Sequence, residues 1–275
     1  MSVPLAFLVV AAAVAVMAAL MLLVRRRSPA GGFFTDSDRA AGVFNFVGTA
    51  FAVLLAFMIL LTFESFGNAK DSASREAVAV SQAFRTARLF APEGRDDIQG
   101  ELICYARAVI HDEWPAMRRG HESPLVLGWI ADIERTIDGI DVRGAKQAVA
   151  YDHWFEQMAE RREGRRGRLA EASPLVPPLV WVALLLGGAV ILVYMCFYAD
   201  RRESAVVQTM MMAAVVTMVA SGLLTVRFLD RPYDDRSGAI APAAMVRSLQ
   251  VMERERAELR PTEPVPCDDH GRRRL

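Results

Sequence analysis

The sequence lacks charged residues over four long stretches of its 275 positions. These windows are Val3 to Val24, Ala40 to Phe63, Ser173 to Ala199 and Ser204 to Val226, with 22, 24, 27 and 23 residues. An α-helix rises about 1.5 Å per residue, so each window can cross a hydrocarbon core about 30 Å thick. Soluble domains do not contain four such runs. The absence of charge therefore predicts a multi-pass protein of the cell (inner or plasma) membrane, with the lipid bilayer as its partner.

The chain also lacks a net charge, because 32 basic residues balance 32 acidic ones. A nucleic-acid-binding protein carries a concentrated basic excess, so we expect no nucleic-acid partner. Cysteine is scarce: Cys104, Cys196 and Cys267 lie far apart, and no C-x-x-C pair occurs. This spacing supports neither a disulfide framework nor a zinc site, and it predicts three unpaired cysteines.

Motifs of catalysis and cofactor binding are missing too. The sequence contains no Gly-x-Ser-x-Gly elbow and no glycine-rich loop that follows a strand. The four windows contain no ionisable carboxylate, which argues against a proton-coupled transporter. We therefore predict no enzymatic activity, no catalytic residue and no cofactor.

Histidines and carboxylates group at residues 111–113, 121–122 and 153–156. A ferritin-like di-iron bundle needs Glu-x-x-His motifs on two helices, with further glutamates on facing helices. Here His153 precedes Glu156, which is the reverse order, and no second copy exists. We interpret His153 as a packed or half-exposed side chain and predict no metal site.

The windows divide the chain into four parts. Residues 1–63 are predicted to form a first transmembrane hairpin with spans at about 3–24 and 40–63, and residues 64–172 an extramembrane domain. Residues 173–230 are predicted to form a second hairpin with spans at about 173–199 and 204–226, followed by a tail at 231–275. The end of the tail is rich in proline and arginine, which predicts disorder from about residue 261.

The extramembrane domain is predicted to be helical because its apolar residues recur at steps of three or four. One helix begins near Pro92, and Pro115 should bend or end it. Ser123 and Pro124 are typical of an N-cap and the first helical position. No stretch alternates for long enough to predict a strand. The predicted fold class is all-α, with four transmembrane helices and a helical bundle inserted between the second and third spans.

The second span has the most varied faces, with small and polar residues at several positions. Ordinary packing and lipid contact is one interpretation. The other is that this span lines the axis of a homo-oligomer, where apolar rings act as a dewetting gate. The candidate pore-facing residues are then Phe44, Asn45, Gly48 and Phe51.

Three arginines, Arg165, Arg166 and Arg168, lie shortly before the third span. A juxtamembrane basic cluster attracts anionic lipid headgroups, which makes such headgroups a candidate partner here. The same side chains can equally pair with glutamates along their own helix. The sequence favours neither interpretation.

Six sequence blocks occur in an order that resembles a known family. They are GVFNFVGTAFAVLLAF at 42–57, Glu76-Ala77, EWPAMRRG at 113–120 after Tyr105, RRGRL at 165–169, Pro178-Leu-Val-Trp181 with Gly187, and Asp230-Arg231-Pro232-Tyr233. Together they resemble the bacterial bestrophin-like domain family, whose function is unknown. The resemblance covers roughly residues 42–242, and it departs at Tyr233, where family members commonly have phenylalanine.

The resemblance implies four spans with a helical domain between the second and third, as in bestrophins, which are homopentameric anion channels. It marks nine family-motif residues without assigning them a role: Glu76, Glu113, Trp114, Arg165, Arg168, Trp181, Asp230, Arg231 and Pro232. Because a fold does not determine function, two hypotheses remain. The first is a homo-oligomeric channel-like protein, and the second is a membrane-anchored interaction or scaffolding module without transport.

An even number of crossings places both termini and the helical domain on one side of the membrane. Arg25, Arg26, Arg27 and Arg39 flank the first loop, which favours a cytoplasmic loop and an external domain. More arginines lie on the domain side, beside the third and fourth spans, and unpaired cysteines suit the cytoplasm. We expect a cytoplasmic domain and cytoplasmic termini.

Overall fold

The structure, a computed structural model, describes residues 3–29, 31–259, 261 and 264–274. Its α-helices are α1 Val3–Arg27, α2 Ser37–Thr86, α3 Pro92–Ala108, α4 Trp114–Met117, α5 Pro124–Asp138, α6 Gly144–Ala170, α7 Pro178–Cys196, α8 Ala205–Leu229 and α9 Ala243–Leu259. A 3₁₀ turn follows α2, and a π-helical turn joins α3 to α4. These residues contain no β-strand, only an isolated bridge between Cys267 and Arg273. The predicted all-α fold class is confirmed.

The chain divides into two compact units. The first, here called the membrane unit, comprises Met1–Ser65, Pro174–Arg231 and Arg236–Gly238. The second, the helical domain, comprises Phe66–Ser173, Pro232–Asp235 and Ala239–Leu275. Four helices are long and apolar enough to cross a membrane: Pro4–Arg27, Ser37–Leu89, Pro178–Cys196 and Ala205–Leu229. Each overlaps one charge-free window, so the chain is an integral membrane protein.

The third span is shorter than its charge-free window. The window begins at Ser173, but α7 begins only at Pro178 because Pro177 has an extended backbone at ψ 150°. Proline at the first helical position loses no hydrogen bond, since that N–H has no partner within the helix. The two prolines therefore set the start of this span.

Glycines allow the spans of the membrane unit to approach closely. A Cβ added at Gly187 would lie 2.7 Å from the Phe51 ring, and one at Gly222 would lie 2.6 Å from Leu55. Small residues serve this purpose in membrane helices, where van der Waals packing drives association. One face of α2 therefore packs onto α7 and α8.

The helical domain has its own apolar core. Its buried residues include Val80 and Phe84 from the C-terminal half of α2, Leu102 from α3, Trp154 from α6 and Met252 from α9. The helix starts agree with the sequence patterns. Ser123 caps α5 because its hydroxyl accepts a hydrogen bond from the backbone N–H of Val126 at 3.1 Å, which confirms the predicted N-cap.

Pro115 marks the end of the helix that begins at Pro92. The π-helical turn Val109–Glu113 lies immediately before it, and the helix ends at Met117. Proline cannot donate the usual backbone hydrogen bond, so a wider turn accommodates it. The predicted bend or end is confirmed. The wider turn leaves both Glu113 and Trp114 buried.

The end of the tail differs from its prediction. Residues 264–274 are ordered against the domain, and Gly271 (φ +78°) lies so close to α3 that a Cβ there would be 2.5 Å from the Ala108 nitrogen. Trp129 donates from its indole N–H to the Gly271 carbonyl at 2.7 Å. Disorder was therefore wrongly predicted for these residues, whereas Thr262 and Glu263 lie outside the described ones.

A disulfide holds this segment. Cys267 is bonded to Cys104 of α3, with Cα atoms 5.8 Å apart, and both residues are buried. The prediction of three unpaired cysteines was wrong: only Cys196 is free. The two bonded cysteines are 163 residues apart in sequence, so no local spacing motif marks the pair.

Candidate functional site: a buried arginine–glutamate network

Arg168 of α6 lies at the centre of a charged network inside the helical domain. Its Nε donates to Glu76 Oε2 at 2.6 Å and its Nη2 donates to Glu76 Oε1 at 2.9 Å, which is a two-pronged contact. Nη2 also donates to Glu113 Oε2 at 2.6 Å. All three side chains are essentially inaccessible to solvent. The network thus links α2, α6 and the π-helical turn.

Arg165 extends the network toward the surface. Its Nη2 donates to Glu113 Oε1 at 2.5 Å and contacts Glu122 Oε2 at 3.3 Å. Arg165 is largely buried, whereas Glu122 is exposed. Two buried carboxylates, Glu76 and Glu113, therefore face two arginines. The charges of this core balance.

Aromatic side chains enclose the network. Tyr105 donates its hydroxyl to Glu76 Oε1 at 2.5 Å. The Arg168 guanidinium lies 5.1 Å from the Trp114 ring centroid, in a cation–π contact. Tyr233 packs edge-on against Trp114 and donates its hydroxyl to a backbone carbonyl of α2 at 3.0 Å.

Burial and charge act in opposite directions on these groups. Burial alone would raise the pKa of the Glu113 carboxyl, but the charges and hydrogen bonds of Arg168 and Arg165 hold that pKa below its ordinary value. Burial also opposes the charge on Arg168, yet Glu76 and Glu113 raise the pKa of its guanidinium. Burial and the Glu76 charge raise the pKa of Tyr105, so the phenol remains a hydrogen-bond donor. Glu113 and Arg168 are therefore both charged at neutral pH, and Tyr105 is neutral.

Glycine spacing on α6 allows Arg168 to reach Glu76. A Cβ added at Gly164 would lie 2.6 Å from the Glu76 backbone nitrogen and 2.9 Å from its Cα. One turn later, Gly167 lies equally close to Ser72. Glycines three residues apart let two helices approach until their backbones nearly touch, and sequence reasoning missed this signal.

We expect Gly164→Ala to destabilise the helical domain by about 1–3 kcal/mol, because the new methyl group overlaps the α2 backbone, which cannot rotate away. The measurement is thermal unfolding of the detergent-solubilised protein. Gly67→Ala is the matched control, because Gly67 is also helical but has open space around it. That variant should be neutral or slightly stabilised, since alanine favours helix. Equal melting temperatures for both variants would contradict the close approach.

The structure brings together five of the nine family-motif residues: Glu76, Glu113, Trp114, Arg165 and Arg168. The other four lie elsewhere. Trp181 is partly buried among the spans, and Asp230 accepts a hydrogen bond from the Val176 backbone N–H at 2.9 Å. Arg231 is exposed, and the Pro232 carbonyl accepts from Ile240 at 2.8 Å.

The candidate pore-facing residues are not on one exposed face. Phe51 is buried against Gly187, and Phe44 stacks on Tyr194 with ring centroids 5.7 Å apart. Gly48 lies on the same helical face, between these two, because residues at steps of three and four share a face. Only Asn45 is exposed. Phe51 and, in part, Phe44 therefore pack against α7, and the pore-facing role of the four residues stays a prediction.

The arginine cluster before the third span is also not uniform. Arg168 is fully buried and paired, so it is not available to lipid headgroups, which corrects that candidate. Arg165 is held by Glu113, and Arg166 is exposed. In the described ranges no three histidine, cysteine or acidic side chains converge as a metal site would require. His153 contacts Glu156 at 3.1 Å on the surface.

The chain resembles known proteins in both sequence and fold. Its sequence matches the Bestrophin-like domain family over residues 9–244, and it matches no curated protein. Its fold is similar to that of a variant of a bacterial bestrophin homologue from Klebsiella pneumoniae, at 13% identity and a TM-score of 0.68, covering 89% of this chain and 98% of that one.

Two further structures give similar values. A crystal structure of a bacterial bestrophin homologue from Klebsiella pneumoniae, determined by zinc phasing, has 14% identity and a TM-score of 0.60, covering 82% of this chain and 88% of that one. A structure described as a membrane protein has 13% identity and a TM-score of 0.67, covering 93% and 98%. Identities this low show the shared fold alone, but the family match extends over most of the sequence. The chain therefore belongs to the bestrophin-like domain family.

Proposed function

We propose that this membrane protein is a homo-oligomeric, channel-like protein that conducts anions. Its family membership and its fold likeness to bacterial bestrophin homologues over most of both chains support the proposal. The four membrane-spanning windows contain no carboxylate that could carry a proton, which favours a passive pore over a proton-coupled transporter.

The exposed face of α2 is the main structural support for this proposal. Phe46, Val53, Phe57 and Leu60 are each more than half exposed, and they recur at steps of three, four and seven along the helix. The opposite face, with Phe51 and Met58, is buried within the protomer. A ring of copies with this outward face toward its axis would form successive apolar constrictions, which gate conduction by dewetting. These residues replace Phe44 and Phe51 as the proposed pore lining.

The test compares two valines with similar exposure in the membrane unit. Val53 on α2 is 56% exposed and Val193 on α7 is 52% exposed. A hydroxyl at an apolar constriction favours wetting, so Val53→Ser should raise chloride efflux from proteoliposomes several-fold. Val193 lies on α7 and not on the proposed pore-lining helix, so Val193→Ser should leave the efflux unchanged.

Native mass spectrometry in detergent supplies the second measurement. A closed ring together with a Val53-specific rise in flux supports the channel. A stable monomer without flux contradicts it and favours the membrane-anchored scaffolding module. Equal effects of the two serine variants would exclude α2 as the pore lining.

We also infer that the helical domain lies on the extracytoplasmic side, opposite to the sequence-based expectation. A buried Cys104–Cys267 disulfide persists in oxidising compartments and is rare in the cytoplasm. The two short interspan loops carry or adjoin six arginines: Arg25, Arg26, Arg27, Arg39, Arg201 and Arg202. The loops contact each other through Arg25, whose Nη2 donates to the Glu203 carbonyl at 2.6 Å. Short basic loops favour the cytoplasmic face.

A reporter fused after Leu275 tests this sidedness. We expect an active alkaline phosphatase fusion and a dark green-fluorescent-protein fusion, because the former needs an oxidising compartment and the latter folds in the cytoplasm. Fusions placed in the first loop, after Ser28, serve as the control and should show the reverse. A fluorescent C-terminal fusion with inactive phosphatase would place the domain in the cytoplasm.

A further inference from the structure

A cleft of about 580 Å³ lies on the helical domain between α5 and α6, apart from the enclosed part of the Arg168 network. Four arginines line it, Arg161, Arg162, Arg165 and Arg166, with only two carboxylates, Glu122 and Glu134. Both carboxylates are exposed to water, and Arg165 is already neutralised by Glu113. The cleft therefore has an excess of positive charge.

Arg161 is the unusual member of this group. It is only 3% exposed, yet its Nε is buried without a hydrogen-bond partner. Among the described residues no carboxylate oxygen lies within 4.0 Å of its guanidinium. The other buried arginines do have acceptors: Arg168 binds two glutamates, and Arg256 donates to the Asp96 carbonyl at 2.7 Å. A buried cation without a hydrogen-bond acceptor or a nearby carboxylate is costly, so an anion is the group that this position lacks.

The neighbours of Arg161 do not supply that anion. Its guanidinium lies 5.4 Å from the Tyr105 ring centroid, in a cation–π contact. The Tyr105 hydroxyl donates to Glu76 and stays protonated, because burial and the Glu76 charge raise its pKa. Glu122 is engaged by Arg165 at 3.3 Å. The guanidinium thus packs against an aromatic ring, and its side chain belongs to the lining of the cleft.

We propose that this cleft binds a phosphate-bearing anion, with Arg161 as the buried recognition residue and Arg162 and Arg166 at its rim. Guanidinium groups bind phosphate oxygens through paired, charge-assisted hydrogen bonds. Leu127 and Ile130 add an apolar wall beside the arginines. That combination suits either free phosphate or the phosphate of an anionic lipid headgroup. The site does not depend on ion conduction.

The test measures thermal unfolding of the purified full-length protein with two probes. The first is sodium phosphate against sodium chloride at equal ionic strength, and the second is a phosphatidylglycerol nanodisc against a phosphatidylcholine nanodisc. A saturable rise of several degrees with one probe is expected, since a ligand that binds only the folded state stabilises it. Phosphate alone identifies a soluble ligand, and phosphatidylglycerol alone identifies a headgroup. No rise with either probe overturns the proposal.

Variants separate binding from a structural role. Arg161→Met should melt at the same or a higher temperature than the wild type without ligand, because it removes an uncompensated buried charge, and it should lose the ligand-dependent rise. Arg254→Gln, an exposed arginine on α9, is the control and should keep that rise. A rise that persists in Arg161→Met overturns the proposal, as does its loss in Arg254→Gln.

A rim variant covers the case in which Arg161→Met does not fold. Arg162 is exposed, so Arg162→Gln should fold normally. In calorimetric titration this variant should bind the probe more weakly, with a dissociation constant about tenfold higher. An unchanged constant in that variant overturns the proposal.

Discussion

Replacing Arg168 with alanine is expected to lower the free energy of unfolding of the helical domain by about 3–5 kcal/mol. The substitution leaves Glu76 and Glu113 buried without their shared cation, and both carboxylates are inaccessible to water. It also removes the cation–π contact with Trp114. The measurement is denaturant or thermal unfolding of the detergent-solubilised protein, followed by tryptophan fluorescence.

Two comparisons make this prediction specific. Arg166→Ala removes the same side chain from the same helix at an exposed position and should change stability by less than about 0.5 kcal/mol. Combining Arg168→Met with Glu76→Gln should recover most of the loss, because Glu113 keeps Arg165 as its partner and no buried charge is left uncompensated. A fold that tolerates Arg168→Ala as well as Arg166→Ala would show that the network contributes little stability.

The same network should make the domain sensitive to acid. The pKa of Glu113 is lower in the folded state than its unfolded value of about 4.3. The folded state therefore binds fewer protons there. The stabilising contribution of the ionised Glu113 carboxylate is present above the unfolded pKa and is lost as the pH falls through the folded pKa. Arg165→Met should raise the pH at which acid unfolding begins, because it removes one of the two cations that lower the Glu113 pKa.

Removing the disulfide is the second large expected effect. The double variant Cys104→Ser, Cys267→Ser should lose about 2–5 kcal/mol of stability, because the bond restricts the unfolded chain across 163 residues of sequence. The tail segment 264–274 should then be cleaved more readily by protease, since the cross-link is its covalent attachment to α3.

Reducing agent gives an independent check on the same bond. Dithiothreitol, added under conditions that expose the disulfide, should lower the wild-type melting temperature to that of the double variant and leave the double variant unchanged. Cys196→Ala is the control, because Cys196 is free and lies in α7. If a thiol reagent labels three cysteines per chain after denaturation without reductant, the disulfide bond does not form.

Local pattern was sufficient for the outline of the molecule. Charge-free length identified the four spans, because a bilayer excludes charge over the whole length of a helix. The Ser123 cap and the prolines at 92, 115 and 178 predicted or set helix limits, since proline and N-cap residues act on the backbone beside them. The blocks that resemble the family contained Glu113 and Arg168, but their order along the chain did not show which side chains meet.

Tertiary structure alone decided which distant side chains contact each other and which face of each helix is buried. Glu76 and Arg168 are 92 positions apart, and the bonded cysteines 163 apart, so no local spacing encodes either contact. The face of α2 that turns inward depends on Gly187, which lies on another helix and admits the Phe51 ring. Periodicity shows that a helix has faces, whereas the neighbour that covers each face is chosen only when distant segments pack.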